Sequence, residues 1–340
     1  MAGYSTLSYE YITKHGVTFF VPLGKYDENQ CAKCLATGLK ELGIPVFSNI
    51  QHPDFTFKAF ETFDEGIFIF LVNEVLAKTT FLKDVLNYPK LNKYVLSMSD
   101  TTNTLAIPEG LKSFMTHELE SIQFSNPRTP WAFGIHPNSI EQLKDPLPVS
   151  SRKMTILRNF RPSYQQTLRD CLDFSLIPHL EKYFEIDRTI DGSNHFQRLK
   201  TYVGCAAYGG GFYSNHQPRN NYISSDAFQL DLGQYAKIRG DAFIGRWDSY
   251  RLWESFASGN LTLTLDFKKY GFILPVEPTP WKHYIPVDLT DPKATVEKLM
   301  DIKDKWDQIG YEGRKWAFDH YAPRAVAQRF VASVINQTQG

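Results

Sequence analysis

The feature that most limits how this chain can fold is a repeated alternation of short, continuous apolar runs with segments of helical spacing. VTFFVPLG (17–24), IPVFSN (44–49), GIFIFLVNE (66–74) and KYVLSMSD (93–100) are strand-like runs with no polar face. QCAKCLATGLKELG (30–43) has helical spacing and stops at a glycine, as helices ending in a left-handed residue do. Strands that are apolar throughout must be covered on both sides, which in an alternating chain means a parallel sheet flanked by helices. PWAFGIH (130–136) is expected to add a further strand.

Residues 137–153, PNSIEQLKDPLPVSSRK, carry three prolines among polar residues and are expected to link this unit to a second one. The same grammar then restarts. MTILRNF (154–160) predicts a strand. Leu168, Leu172, Leu176 and Leu180 predict one helix, kinked or split by Pro178, and FEIDRTI predicts the next strand. Residues 191–235 have no clear periodicity. AFIGR (242–246), LTLTLDF and HYIPVDL resume the strands, Asp291 and Pro292 mark a helix start, and YEGRKWAFDHY and APRAVAQRFVASVI close the chain as helices.

With 340 residues the chain can bury two cores of about 150 residues each. Lysine plus arginine (37) equals aspartate plus glutamate (37), so no broad basic footprint for nucleic acid or anionic membrane exists. An anionic ligand has to be met by a local cluster. Cys31 and Cys34 form a CxxC, but they lie within a helical pattern and no second CxxC follows, which favours packing over metal or redox chemistry. The polar start and the lack of any run of 18 apolar residues predict a cytoplasmic protein with no transmembrane segment.

The chemistry concentrates in DSYRLWESFASG (248–259), which places Ser249, Tyr250, Arg251 and Glu254 on the first turns of a helix. A helix start presents free N–H groups and a positive dipole end to anions. Arg251 adds a forked donor suited to a diphosphate. Glu254, one turn on and on the same face, can accept from ribose hydroxyls. Diphosphate plus ribose is the handle of a nucleotide-activated sugar. A serine followed by a glutamate is also an ordinary capping arrangement, so the same residues have a purely structural reading.

Other candidates carry the same two readings. Trp281, Lys282 and His283 precede a strand and either stack on a base and contact phosphate or pack in the core. Arg158, Asn159 and Arg161 end the second unit's first strand, where ligands of such sheets bind, or form a solvated loop. Gly209, Gly210 and Gly211 allow close approach to phosphate or mark a loop. Asp100, at the end of KYVLSMSD, is the predicted base that deprotonates an acceptor hydroxyl, with Asp27 and His136 as rivals. No DxD or carboxylate triplet is present, so no metal is expected.

SYRLWESFASG, PWKHYIPVDLTDP and GRKWAFDHYAP together resemble the C-terminal half of GT-B glycosyltransferases, in particular the exostosin-like group and the protein O-glucosyltransferase and capsule-associated transferase group. The resemblance covers residues 242–330. It implies two Rossmann-like domains with parallel sheets facing an interdomain cleft. The acceptor-side domain spans 1–150, the nucleotide-sugar domain 151–322, and a final helix, 323–340, crosses back to the first. It also implies transfer of a hexosyl or pentosyl group, without a metal, from a nucleoside diphosphate sugar (UDP- or GDP-linked) to a hydroxyl of a glycan, lipid or small metabolite; the balanced charge separately predicts no nucleic acid as partner. Arg251 then contacts the diphosphate and Glu254 the ribose. The acceptor motif of these families is not recognisable in the first half. The alternatives are a non-catalytic nucleotide-sugar-binding or scaffold protein of the same fold and a sugar-nucleotide epimerase of similar architecture.

Overall fold

A computed structural model describes residues 7–21, 29–58, 65–72, 92–97, 111–122, 128–160, 167–190, 192–214 and 242–336. The chain divides into two compact units. One comprises Met1–Thr116, Phe124–Pro137 and Asp319–Gly340, the other His117–Gln123 and Asn138–Phe318. Residues 117–123, which fall among the first 150, therefore pack with the second unit.

The first unit runs α1 (Tyr9–His15), β1 (Val17–Phe20), α2 (Gln30–Glu41), β2 (Val46–Ser48), β3 (Thr56–Phe57), β4 (Ile67–Val72), β5 (Asn92–Ser97), β6 (Lys112–Met115) and β7 (Arg128–Pro130). Its seven strands pair in the order β3-β2-β1-β4-β5-β6-β7, every pair parallel. β1 and β4 are apolar on both faces, and Val17, Phe19, Ile67, Phe68 and Ile69 are fully buried. Asn29 starts α2 by accepting the Ala32 amide at 3.1 Å, and Gly43 (φ 73°) follows its end. The strand expected over 130–136 stops at Pro130. Beyond it Ile135 donates to Tyr321 O at 2.8 Å.

The second unit contains α3 (Pro137–Gln142), β8 (Lys153–Leu157), α4 (Thr167–Ser175), α5 (Ile177–Leu180), β9 (Glu185–Asp187), α6 (His195–Thr201), β10 (Tyr202–Ala206), β11 (Gly211–Ser214), β12 (Ala242–Gly245), α7 (Tyr250–Ser258), β13 (Leu261–Leu265), β14 (Ile285–Val287) and α8 (Pro292–Asp301). Five parallel strands pair as β14-β13-β10-β8-β9, and β11 pairs antiparallel with β12. The chain goes from β8 outward to β9, then returns to lay β10 on the other side of β8. The carboxyl ends of β8 and β10 are thus the switch point of this sheet, where ligands of doubly wound folds bind.

β10 falls inside the stretch without periodicity. Its central residue, Gly204, is the reason: a Cβ there would meet Ile156 Cδ1 at 2.7 Å and Leu261 O at 3.0 Å. Close approach of two neighbouring strands replaces the apolar side chain that marks a strand. The helix expected across Pro178 is split, with Pro178 in the first turn of α5, where its missing N–H costs nothing. Arg152 ties the unit together from within. Its guanidinium donates to Leu147 O at 2.6 Å, Ser258 O at 2.8 Å and Leu199 O at 3.2 Å, satisfying carbonyls near the ends of α6 and α7.

α9 (Trp306–Tyr321) carries the chain from the second unit into the first, and α10 (Pro323–Asn336) follows. α10 packs on α2 at Gly38, where a Cβ would lie 1.8 Å from Pro323 O and 2.9 Å from Ala327 Cβ. At Gly310 and Gly313 of α9 a Cβ would likewise lie 2.4 Å from Gly259 O and 2.2 Å from His283 O. Cys31, Cys34, Cys171 and Cys205 are free and buried, and burial pushes the Cys34 thiol far above its ordinary range.

Candidate functional site

α7 begins where its sequence predicts. Ser249 is extended, and its Oγ accepts the Leu252 amide at 3.3 Å. Gly259 closes the helix in the left-handed conformation (φ 65°, ψ 25°). Leu252, Trp253 and Phe256 are buried against the unit, whereas Tyr250, Arg251 and Glu254 are half-buried. This amphipathic split leaves the polar side chains of the first turns together on one face.

Three further elements bring their ends to that face. Gly209, beyond β10, lies so close to the cap that a Cβ would meet Ser249 Cβ at 3.1 Å. Asn159, beyond β8, accepts the Arg251 Nε proton on its main-chain oxygen. Its side-chain amide nitrogen lies 3.0 Å from Nδ1 of His195, the first residue of α6. The His195 Nε2 lies 2.7 Å from Glu254 Oε2. An amide nitrogen can only donate, so Nδ1 is the acceptor and Nε2 carries the proton given to Glu254. The residues that meet at the switch point are therefore Ser249, Arg251, Glu254, Asn159 and His195. His195 lies in the stretch without periodicity, and no spacing in the sequence links it to Glu254.

Beneath them on β10, Cys205 feels both charges. Burial chiefly pushes its thiol up to about 12, with the Arg251 charge working against the shift and Glu254 adding to it. Both charges thus act near the carboxyl end of the sheet, Arg251 bonded to the Asn159 main chain and Glu254 to His195.

The entrance to α7 is strained. Arg246 (φ 54°) and His117 (φ 61°) both have left-handed backbone conformations, which persist in non-glycine residues only where the surroundings impose them. His117 Nδ1 accepts the Asp248 amide at 3.1 Å. The Asp248 carboxylate accepts the Trp253 indole proton at 2.7 Å. Trp247 stacks on Phe272 with ring centroids 4.8 Å apart.

Two further predicted donor contacts, Arg158 and His283, have hydrogen-bond partners within the unit. Arg158 does stand at the end of β8, but its guanidinium is committed within the unit. Nε donates to Asp173 at 2.9 Å, Nη2 pairs with the same carboxylate, and Nη1 donates to Phe160 O at 3.0 Å. His283 accepts the Thr279 amide at 2.9 Å and stacks on Trp316 at 5.7 Å. Trp281 lies 4.3 Å below the Lys298 ammonium. His283 thus has the core contacts that were its structural alternative, whereas Arg158 is buried in an ion pair rather than lying in the solvated loop that was its own. The predicted base Asp100, with Asp27 and Arg161, lies outside the described residues. Among the described residues no group of three or more histidines, cysteines or carboxylates is placed to hold a metal ion, and no helix is long and apolar enough to cross a membrane.

No family model matches this sequence, and no curated protein matches it. Solved structures do match over nearly the whole length. An alpha-glucosyltransferase (AGT) in complex with UDP superposes with a TM-score of 0.53 at 11% identity, covering 94% of this chain and 99% of that one. The alpha-glucosyltransferase in complex with UDP-glucose and DNA containing an abasic site gives 0.52 at 10% identity over 94% and 98%. HepE of Anabaena in complex with UDP gives 0.51 at 9% identity over 94% and 100%. At such identities the likeness is one of fold. The chain has the GT-B fold of these glycosyltransferases, with two Rossmann-like domains built on parallel sheets.

Proposed function

We propose that this protein is a glycosyltransferase that moves a sugar from a nucleoside diphosphate sugar to a hydroxyl acceptor, with the donor held at the start of α7. The observation that supports this most is the convergence of Ser249, Arg251 and Glu254 at the β8/β10 switch point. The fold shared with UDP-bound glycosyltransferases supports the same reading.

In this reading the α7 amides and Arg251 receive the diphosphate, Tyr250 borders it, and Glu254 accepts from the ribose. As the glycosidic bond breaks, positive charge develops on the sugar and negative charge on the departing diphosphate. Groups fixed around the diphosphate before the reaction stabilise that charge more than they stabilise the ground state. Arg251 and the helix amides supply this without a metal ion, so EDTA is expected to leave the rate unchanged. Asp100 is the proposed base toward the acceptor. The balanced net charge favours a glycan, a lipid or a small metabolite as acceptor over nucleic acid.

A thermal-shift screen across nucleoside diphosphates and their sugars tests the donor site, since a ligand at 100 times its Kd adds about 2.7 kcal/mol. Release of nucleoside diphosphate is then followed with glycan, lipid, metabolite and DNA acceptors. Arg251→Ala is expected to raise the barrier by about 2–4 kcal/mol. Full transfer activity in that variant, or no response to any nucleotide, would remove the proposal. Binding without any turnover would leave a nucleotide-sugar-binding protein in its place.

A further inference from the structure

We propose that Asn159 and His195 are positioning residues that set a ribose preference at this site by fixing the Glu254 carboxylate. The inference rests on the reading that α7 receives a nucleoside diphosphate.

A glutamate has three rotatable side-chain bonds, and on a half-buried helix face nothing intrinsic fixes where its oxygens lie. Here the His195 Nε2 proton takes one of them, Oε2, at 2.7 Å. Among the described residues Glu254 has no other hydrogen bond. The pair is 13% and 17% exposed, shielded enough for one hydrogen bond to matter yet open enough for Oε1 to meet a ligand. The imidazole is locked in turn, because the Asn159 amide donates to Nδ1 at 3.0 Å and so places the ring proton on Nε2.

The chemistry of the partner is informative. An arginine or lysine hydrogen-bonded to Glu254 in place of His195 would neutralise it and compete with the ligand for its lone pairs. A neutral imidazole orients the carboxylate without cancelling its charge, so Oε1 remains a strong acceptor for a diol. Asn159 does a second thing at once, since its main-chain oxygen receives Nε of Arg251. One residue at the end of β8 thereby registers the cation meant for phosphate and, through His195, the carboxylate meant for sugar.

The test measures, by calorimetry, the affinities of UDP, GDP, ADP and CDP, of their 2′,3′-dideoxy counterparts and of inorganic pyrophosphate. The ratio of ribo to dideoxy affinity is taken for the nucleotide that binds most tightly. In the unaltered protein it is expected to be about tenfold or more, the scale of one hydrogen bond to a charged acceptor. His195→Ala and Glu254→Ala should both bring it to within about threefold of unity, with pyrophosphate affinity unchanged in His195→Ala. His195→Gln, which can still donate to the carboxylate, should recover part of the preference, and Asn159→Ala should lose part of it. A His195→Ala protein that keeps the ratio while Glu254→Ala loses it overturns the inference alone. So does one that loses pyrophosphate binding together with ribose preference, since His195 would then be supporting the fold. No nucleotide binding, or no ribose preference in the unaltered protein, overturns the donor-site reading and this inference together.

Discussion

His117 accepts the Asp248 amide on Nδ1 at 3.1 Å, and through that bond the segment following β6 holds the residue just ahead of the α7 cap. Asp248 is pinned a second time by the Trp253 indole at 2.7 Å. His117 is completely buried and has a left-handed backbone conformation, so the start of the candidate donor site depends on an unfavourable local geometry maintained by its neighbours.

Replacing His117 by alanine leaves the buried Asp248 amide without its acceptor, at a cost of about 1–3 kcal/mol. The urea midpoint is expected to fall with little change in slope, and pyrophosphate affinity should fall with it because the helix start loses its anchor. An unchanged midpoint would show that the histidine bond contributes nothing to stability.

Gly38 is where α2 and α10 touch. A methyl group there would overlap Pro323 O at 1.8 Å, so Gly38→Ala must push the helices apart and is expected to lose about 1–3 kcal/mol or more. Gly192→Ala is the control: among the described residues no atom lies within 4 Å of the added carbon, and its melting temperature should stay near that of the parent.

Asp187 is held below the usual carboxylate range. Burial alone would raise it, but the amide and hydroxyl of Thr189, the Tyr202 hydroxyl and Arg198 outweigh that. A carboxyl more acidic in the folded state stabilises the fold fully above its unfolded value near 3.8 and loses that contribution as pH falls through the lower folded value. Asp187→Asn should therefore destabilise at pH 7 by about 1–3 kcal/mol. The difference from the parent should close on acidification below pH 4, as followed by denaturant titrations. Asp288, lowered despite burial by Lys269 and Thr290, acts with the same sign.

All four cysteines are buried thiols, with Cys171 pushed up to about 11, chiefly by burial. A thiolate is the reactive species. A disulfide reagent at pH 8 is expected to leave the folded protein unlabelled and to modify all four after denaturation. Rapid labelling of Cys31 and Cys34 in the folded state would revive a redox role for the CxxC.

What the sequence disclosed were local features. The apolar runs at 17–20 and 67–72 became strands, Ser249 and Asp291 cap the helices that follow them, and Gly259 ends α7. These depend on neighbours within a few residues. β10 was hidden because Gly204 packs by absence of a side chain. His195 was hidden because its partners lie 36 and 59 residues away. Arg158 stands at the strand end its position implied. Its direction was decided by Asp173, fifteen residues on, whose place depends on how α4 folds back. Position along a strand can be read from periodicity, but the direction of a long charged side chain is settled by tertiary packing.

The placement of α10 on α2 has a consequence for synthesis. The first unit lacks its closing helix until residues from 319 onward have left the ribosome, whereas every strand of the second sheet is complete by residue 287. The later half is thus expected to consolidate before the earlier one finishes, the reverse of the usual N-terminal-first order. Force-sensing arrest sequences joined after residues 318 and 336 through a spacer long enough to fill the ribosomal exit tunnel would show this as a second folding signal at the longer length, and a single early signal would contradict it.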